Sequence, residues 1–186
     1  MSHKKGKKRG EHVCLHFDRE FTGIPFTFGL LSLHPPVVFL DTDSPEKRVQ
    51  FSYSNPGQIQ KAFDYLRLLC KRISGLAQGS LSAAGISPYA AAVNEARSAM
   101  PNLMSDFPSL KLSVVSIDQI QGKEVSIAVF ITTRTAGKSA ASFATYGPRI
   151  TVALTRARDG LVVVGHRAFI MESSPELARL LEAAQL

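Results

Sequence analysis

Two stretches of the chain gather groups able to do chemistry. Ser116-Ile-Asp-Gln-Ile-Gln-Gly-Lys-Glu124 and Arg149-Ile-Thr-Val-Ala-Leu-Thr-Arg-Ala-Arg158 concentrate carboxylates, amides and guanidinium groups at the ends of apolar runs. A guanidinium is a planar fork of donors that stays charged at ordinary pH, so arginines in such a place suit the oxygens of a phosphoryl group. Asp118, Gln121 and Glu124 fall at or just past the end of the β-rich run Leu112–Ile117. Carboxyl ends of strands are where open α/β sheets bind ligands. In the second stretch Ile150 and Leu154, with Ala153 and Ala157 more weakly, recur at helical spacing. That spacing predicts one short helix carrying Arg149, Arg156 and Arg158, followed by Leu161–Gly165 as a buried strand.

Two further patterns have chemical readings. Ala136-Gly-Lys-Ser139 follows an apolar strand, Val125–Thr132, and looks like the end of a phosphate-binding loop. Thr132 stands where that loop's first glycine belongs, so the backbone cradle that aims several N–H groups at a phosphate is incomplete. His12, Cys14 and His16 alternate, and a strand would set all three on one face as a metal site requires. A fourth ligand is not evident, and an ordinary edge strand is the favoured reading, with no metal expected.

The elements that must position these groups follow a regular rhythm. Pro36–Leu40 is a short β-branched run ended by the turn residues Asp41–Pro45. Asn55 and Pro56 are placed as N-cap and first residue of a long amphipathic helix ending near Gly75. Ala83–Ser87 reads as a strand, Tyr89–Met100 as an alanine-rich helix, and Pro175 opens a closing helix. Strand and helix alternate throughout, which argues an α/β fold with a mainly parallel sheet and helices on both faces.

At 186 residues and 45% hydrophobic content the chain is long enough to bury one sizeable core. Net charge is +7, but Lys4, Lys5, Lys7, Lys8 and Arg9 supply five of it, which leaves +2 on residues 11–186. The basic character is a property of the tail. Such a cluster is a solubilising end, a nuclear address or a nucleic-acid arm that gains affinity by releasing counterions. With Cys14 and Cys70 far apart, a disulfide framework is not indicated, and a reducing intracellular compartment, cytoplasm or nucleus, is expected. Phe21–Leu40 carries no charged residue, yet Pro25, Pro35 and Pro36 interrupt it, so no membrane span is expected.

The order Ile-Ser-Pro-Tyr (86 to 89), Ser-Ile-Asp-Gln-Ile-Gln-Gly-Lys-Glu, Val-Ala-Leu-Thr-Arg-Ala-Arg and a Gly-Leu-Val-Val-Val-Gly strand resembles the second RecA-like lobe of upframeshift-like superfamily 1 helicases, over about residues 36–170. The resemblance implies a helicase C-terminal RecA-like lobe, assigned to residues 36–186; ahead of it the composition reads as a basic disordered tail (1–11) and an irregular segment (12–35). It implies that Arg156 is the arginine finger, and that Gln121, Gly122 and Glu124 face the nucleotide together with it. It places Ser87, Pro88, Tyr89, Ser116 and Asp118 on the nucleic-acid side. Ala92 stands where the family commonly has glutamine, Thr151 where it has asparagine, and Pro148 where it has arginine.

No segment before residue 80 supplies a phosphate loop or a magnesium-binding acidic pair, so the resemblance implies half of a two-lobe site. ATP and Mg²⁺ are expected only when a first RecA-like lobe is supplied in cis or in trans, with none bound to this chain alone. Single-stranded RNA or DNA is the expected partner. Two alternatives stay open: an inert helicase-derived module that binds nucleic acid or a protein partner, and a self-sufficient phosphate-loop NTPase using Lys138.

Overall fold

The computed structural model describes residues 37–136 and 147–183. The basic tail, the 12–35 segment with His12, Cys14 and His16, and the Lys138–Ser139 pair lie outside the described residues.

Five strands form one sheet: β1 (Val37–Asp41), β4 (Ser82–Ser87), β5 (Lys111–Ser116), β6 (Val125–Ile131) and β7 (Ala157–Gly165). Their order is β1-β7-β6-β4-β5, and every pair is parallel. This is an α/β RecA-like arrangement, as the alternation of elements predicts. All seven residues of β6 are buried, because the strand is central and covered on both faces.

Side chains alternate across that sheet and build two cores. Ile127, Val129, Ile131, Val162 and Val164 face α1 (Pro56–Arg72), α2 (Ser74–Ala77) and α3 (Ala90–Asp106). Ala128, Phe130, Leu161 and Val163 face α4 (Ile117–Ile120), α5 (Gly147–Leu154), α6 (Arg167–Ser173) and α7 (Pro175–Ala183). Leu66 and Leu76 in the first core and Phe130, Ile150 and Leu181 in the second are fully buried. Each stabilises the fold by about 1.5–3 kcal/mol relative to an exposed position.

Local chemistry explains the helix borders. The Asn55 side-chain oxygen accepts the Gln58 N–H at 3.0 Å, and Pro56 takes the first turn, where its missing N–H costs nothing. Lys71 and Arg72 close α1 at its negative end. Unlike the expected stop at Met100, α3 runs through Pro101 to Asp106, and the added turn buries Leu103 completely. Ahead of α1 lies a two-stranded hairpin that has no apolar alternation to reveal it, β2 (Lys47–Val49) and β3 (Ser52–Ser54).

One expectation is corrected. Arg156 and Arg158 do not share a helix with Arg149, since α5 stops at Leu154 and β7 starts at Ala157. The Arg156 N–H closes a tight turn onto the Ala153 carbonyl at 3.2 Å, while the Arg156 carbonyl accepts the Val125 N–H at 3.0 Å. The central strand requires a partner for that buried-edge N–H, and this requirement outweighs the weak Ala153/Ala157 periodicity.

Candidate functional site

Because all five strands are parallel, the sheet has two chemically different rims, and the sequence-flagged residues divide between them. At the amino-terminal rim of β6 and β7 stand Gln121, Gly122, Glu124 and Arg156. The crossover from β5 descends through α4 and turns at Gly122, whose φ of +76° suits glycine. A Cβ placed there would meet nothing within 4 Å. Gln121, Gly122, Lys123 and Glu124 are all exposed. The Val125 N–H bond to the Arg156 carbonyl then sets this loop directly beside the α5–β7 turn.

Arg156 is half-buried and held by its own turn. Its Nε donates to the Val152 carbonyl at 2.9 Å and its Nη2 to the Thr155 hydroxyl at 3.0 Å. No carboxylate pairs with Arg156 among the described residues. Arg158 is committed differently, donating from Nη2 to the Ser126 hydroxyl at 2.9 Å. It sits in a register shift, where Val125 pairs with Ala157 but Ile127 with Gly160, so β7 holds one extra residue. The rim thus presents one acid, one amide, an open glycine and a guanidinium bound only to neutral oxygens. Such a set can accept sugar hydroxyls and pair with anionic oxygens.

At the opposite rim are Ser87, Pro88, Tyr89, Ser116 and Asp118. Ser87 and Ser116 are register partners at the ends of β4 and β5. Ser116 caps α4 in a reciprocal box, with its hydroxyl accepting the Gln119 N–H at 3.4 Å and its own N–H donating to Gln119 Oε1 at 3.1 Å. Arg97 from α3 steadies that cap through the Val114 carbonyl and Gln119 Oε1, at 2.9 and 3.1 Å. Asp118 is exposed and faces Arg149 at 3.4 Å. Ser87 and Tyr89 are buried, with Ser87 Oγ 3.0 Å from Thr133 Oγ1. Pro88 is half-buried between them.

Beneath this rim runs a polar network that the sequence does not announce. Thr133 takes a φ of +71°, unusual for a β-branched residue. Its N–H donates to Gln58 Oε1 at 2.7 Å and its carbonyl accepts from Asn55 Nδ2 at 3.2 Å. Arg134 follows, with its side chain 6% exposed, and donates from Nε to Glu46 Oε1 at 2.8 Å. Glu46 Oε2 accepts the Thr135 N–H at 2.6 Å and the Ala136 N–H at 3.3 Å. The Arg134 guanidinium carbon lies 4.0 Å above the Tyr53 ring, and Tyr53 meets Tyr89 edge-on at 5.6 Å. Burial would lower the Arg134 pKa, but the bond to Tyr89 and the Glu46 charge overcome it, so the side chain stays cationic. An Arg and a Glu separated by 88 residues, in turn-like surroundings, carry no local pattern that could have paired them in advance.

Among the described residues no group of His, Cys, Asp and Glu is arranged to hold a metal ion, and no helix is long and apolar enough to cross a membrane. A family model described as an AAA domain matches residues 11–168, a span that includes all five strands of the main sheet and every site residue named above. Comparison with curated proteins gave no match.

Proposed function

The chain belongs to the AAA domain family, a helicase-like group, and from that premise we propose that it is the second RecA-like lobe of an ATP-dependent nucleic-acid helicase. The observation that carries the reading is the convergence of the Gln121–Glu124 loop and the Arg156 turn at one rim, joined through the Val125–Arg156 backbone bond. Residues more than 30 positions apart are thereby set to meet one ligand. Gly122 leaves open space for a nucleotide's sugar and phosphates to approach the backbone, so the residues present fit that ligand. Glu124 and Gln121 would bind sugar hydroxyls, and Arg156 would reach an ATP held mainly by the other lobe. To do so Arg156 exchanges two hydrogen bonds to neutral oxygens for charged ones to phosphate, a favourable trade because charge-assisted bonds are about twice as strong. Magnesium ligands and the phosphate cradle belong to the first lobe in this reading, and single-stranded RNA or DNA lies along the opposite rim, where Ser116 and Asp118 stand.

The test joins this chain to a phosphate-loop lobe from a helicase relative and compares two substitutions. Arg156→Ala should lower ATP turnover by on the order of 10³-fold or more, the scale of losing a transition-state arginine, and weaken ATP binding only modestly. Arg158→Ala should do much less, because its guanidinium donates to the Ser126 hydroxyl at 2.9 Å. Equal small losses from both would overturn the assignment. The chain without a first lobe should show negligible turnover, and a rate of about 1–10 s⁻¹ would overturn the two-lobe reading.

A further inference from the structure

We propose that the β2–β3 hairpin is a stacking prong for single-stranded nucleic acid, with Phe51 against a base and Arg48 on the adjoining phosphate. This rests on the lobe reading above and assigns its nucleic-acid rim a residue that the motif resemblance does not contain.

Phe51 is 98% exposed at the apex of a two-residue turn between the paired residues Val49 and Ser52. A fully solvated phenyl ring on a short hairpin gains nothing for the fold. It does offer a π-face with few rotatable bonds, which is what sequence-tolerant binding of unpaired bases uses. The residues around it have the charge such a ligand needs. Lys47 and Arg48 lie on the adjoining strand, both exposed, and residues 47–63 include no Asp or Glu. An apolar protein partner would be matched by a broader apolar surface than one ring with Val49 beside it.

The prong is also rigidly mounted, and at the right rim. Arg48 is the register partner of Tyr53, the ring clasped between Arg134 and Tyr89. Ser52 Oγ accepts the Ala91 N–H at the start of α3 at 3.2 Å, Ser54 Oγ donates to Glu95, and Lys47 bridges to Glu95 at 2.8 Å. Arg48 Nε closes the turn onto the Gln50 carbonyl at 3.1 Å. Tyr89, which the resemblance places on the nucleic-acid side, is buried beneath this mount, and among the described residues the fully exposed aromatic ring at that rim is Phe51.

The experiment measures fluorescence anisotropy of labelled oligo(dT) and oligo(U) of about 12 nucleotides, enough for one binding site of this kind. It uses the full chain at about 150 mM salt, so that the basic tail is screened. Phe51→Ala and Phe51→Leu should each weaken binding by about 5- to 150-fold, the loss of one base–aromatic stack, while Phe51→Trp retains it. Arg48→Ala should reduce the salt slope by about one. Thermal melts of the Phe51 variants should match the parent, because the ring is solvated. An oligo(U) preference would assign the prong to RNA, and equal binding to both would assign it to either strand type. Unchanged affinity in Phe51→Ala, with the parent binding well, would overturn the prong and leave the lobe reading intact. No binding by the parent would overturn the prong together with the nucleic-acid part of that reading. Self-association of the parent in sedimentation, abolished by Phe51→Ala, would also overturn it, in favour of a contact between copies.

Discussion

Removing the Glu46 carboxylate tests whether the buried network at the carboxyl rim organises this part of the molecule. Glu46→Ala removes the carboxylate that pairs with the Arg134 guanidinium, whose side chain is 6% exposed and which then keeps the Ala136 carbonyl, at 2.8 Å, and the Tyr53 ring. Breaking a buried pair by deleting one partner costs about 3–5 kcal/mol, because the remaining charge keeps its desolvation penalty. The Thr135 and Ala136 N–H groups also lose their acceptor, but these lie at a partly solvated margin where water can replace it. For a chain of this size each kcal/mol lowers Tm by about 2–4 °C, so a fall of about 6–20 °C is expected. Urea unfolding at pH 7 should show the loss as a shift in midpoint with unchanged slope. Adding Arg134→Met removes the buried charge that has lost its carboxylate, and the double variant should be more stable than Glu46→Ala alone. A single-variant cost below about 1 kcal/mol, the scale of an exposed pair, or strict additivity of the two substitutions, would refute the reasoning.

Other perturbations test separate links. Gly122→Ala should cost about 1–2 kcal/mol by urea unfolding, since a left-handed backbone is strained by a Cβ even in open space, whereas Gly79→Ala should cost more because its Cβ would lie 2.2 Å from the Ser109 carbonyl oxygen. An equal cost at both sites would show that the contact is relieved by movement. Burial pushes the Glu95 pKa up, but hydrogen bonds from Lys47 and Ser54 and the Lys47 charge outweigh it, so its folded pKa lies below the ordinary 4.5. A depressed carboxylate contributes stability above its unfolded pKa and loses it as pH falls through the folded one. Glu95→Gln should therefore be less stable than the parent at pH 7, and the gap measured by urea unfolding should narrow below about pH 4.5. A gap that is constant from neutral to acid pH would assign Glu95 a purely steric role.

What the sequence determined by itself is whatever repeats at short range. The runs Val37–Leu40, Ala83–Ser87, Val125–Ile131 and Leu161–Gly165 announce parallel strands because their faces are largely covered and charged residues are excluded from them. Asn55-Pro56 marks a helix start because capping is a matter of three neighbouring residues. The Gln121–Glu124 and Arg149–Arg158 segments were likewise visible as chemical groups at the ends of apolar runs. Tertiary structure decided the rest. Arg156 leaves its helix because a β6 N–H over 30 residues earlier in the chain needs its carbonyl, and Tyr89 is buried because a hairpin of polar residues folds over it. The Arg134–Glu46 pair, the left-handed Thr133 and the solvated Phe51 ring have no local signature. Their partners, or their want of cover, follow from how distant segments meet at a sheet rim, where loops answer to hydrogen-bond demand and burial and not to the period of a helix or strand.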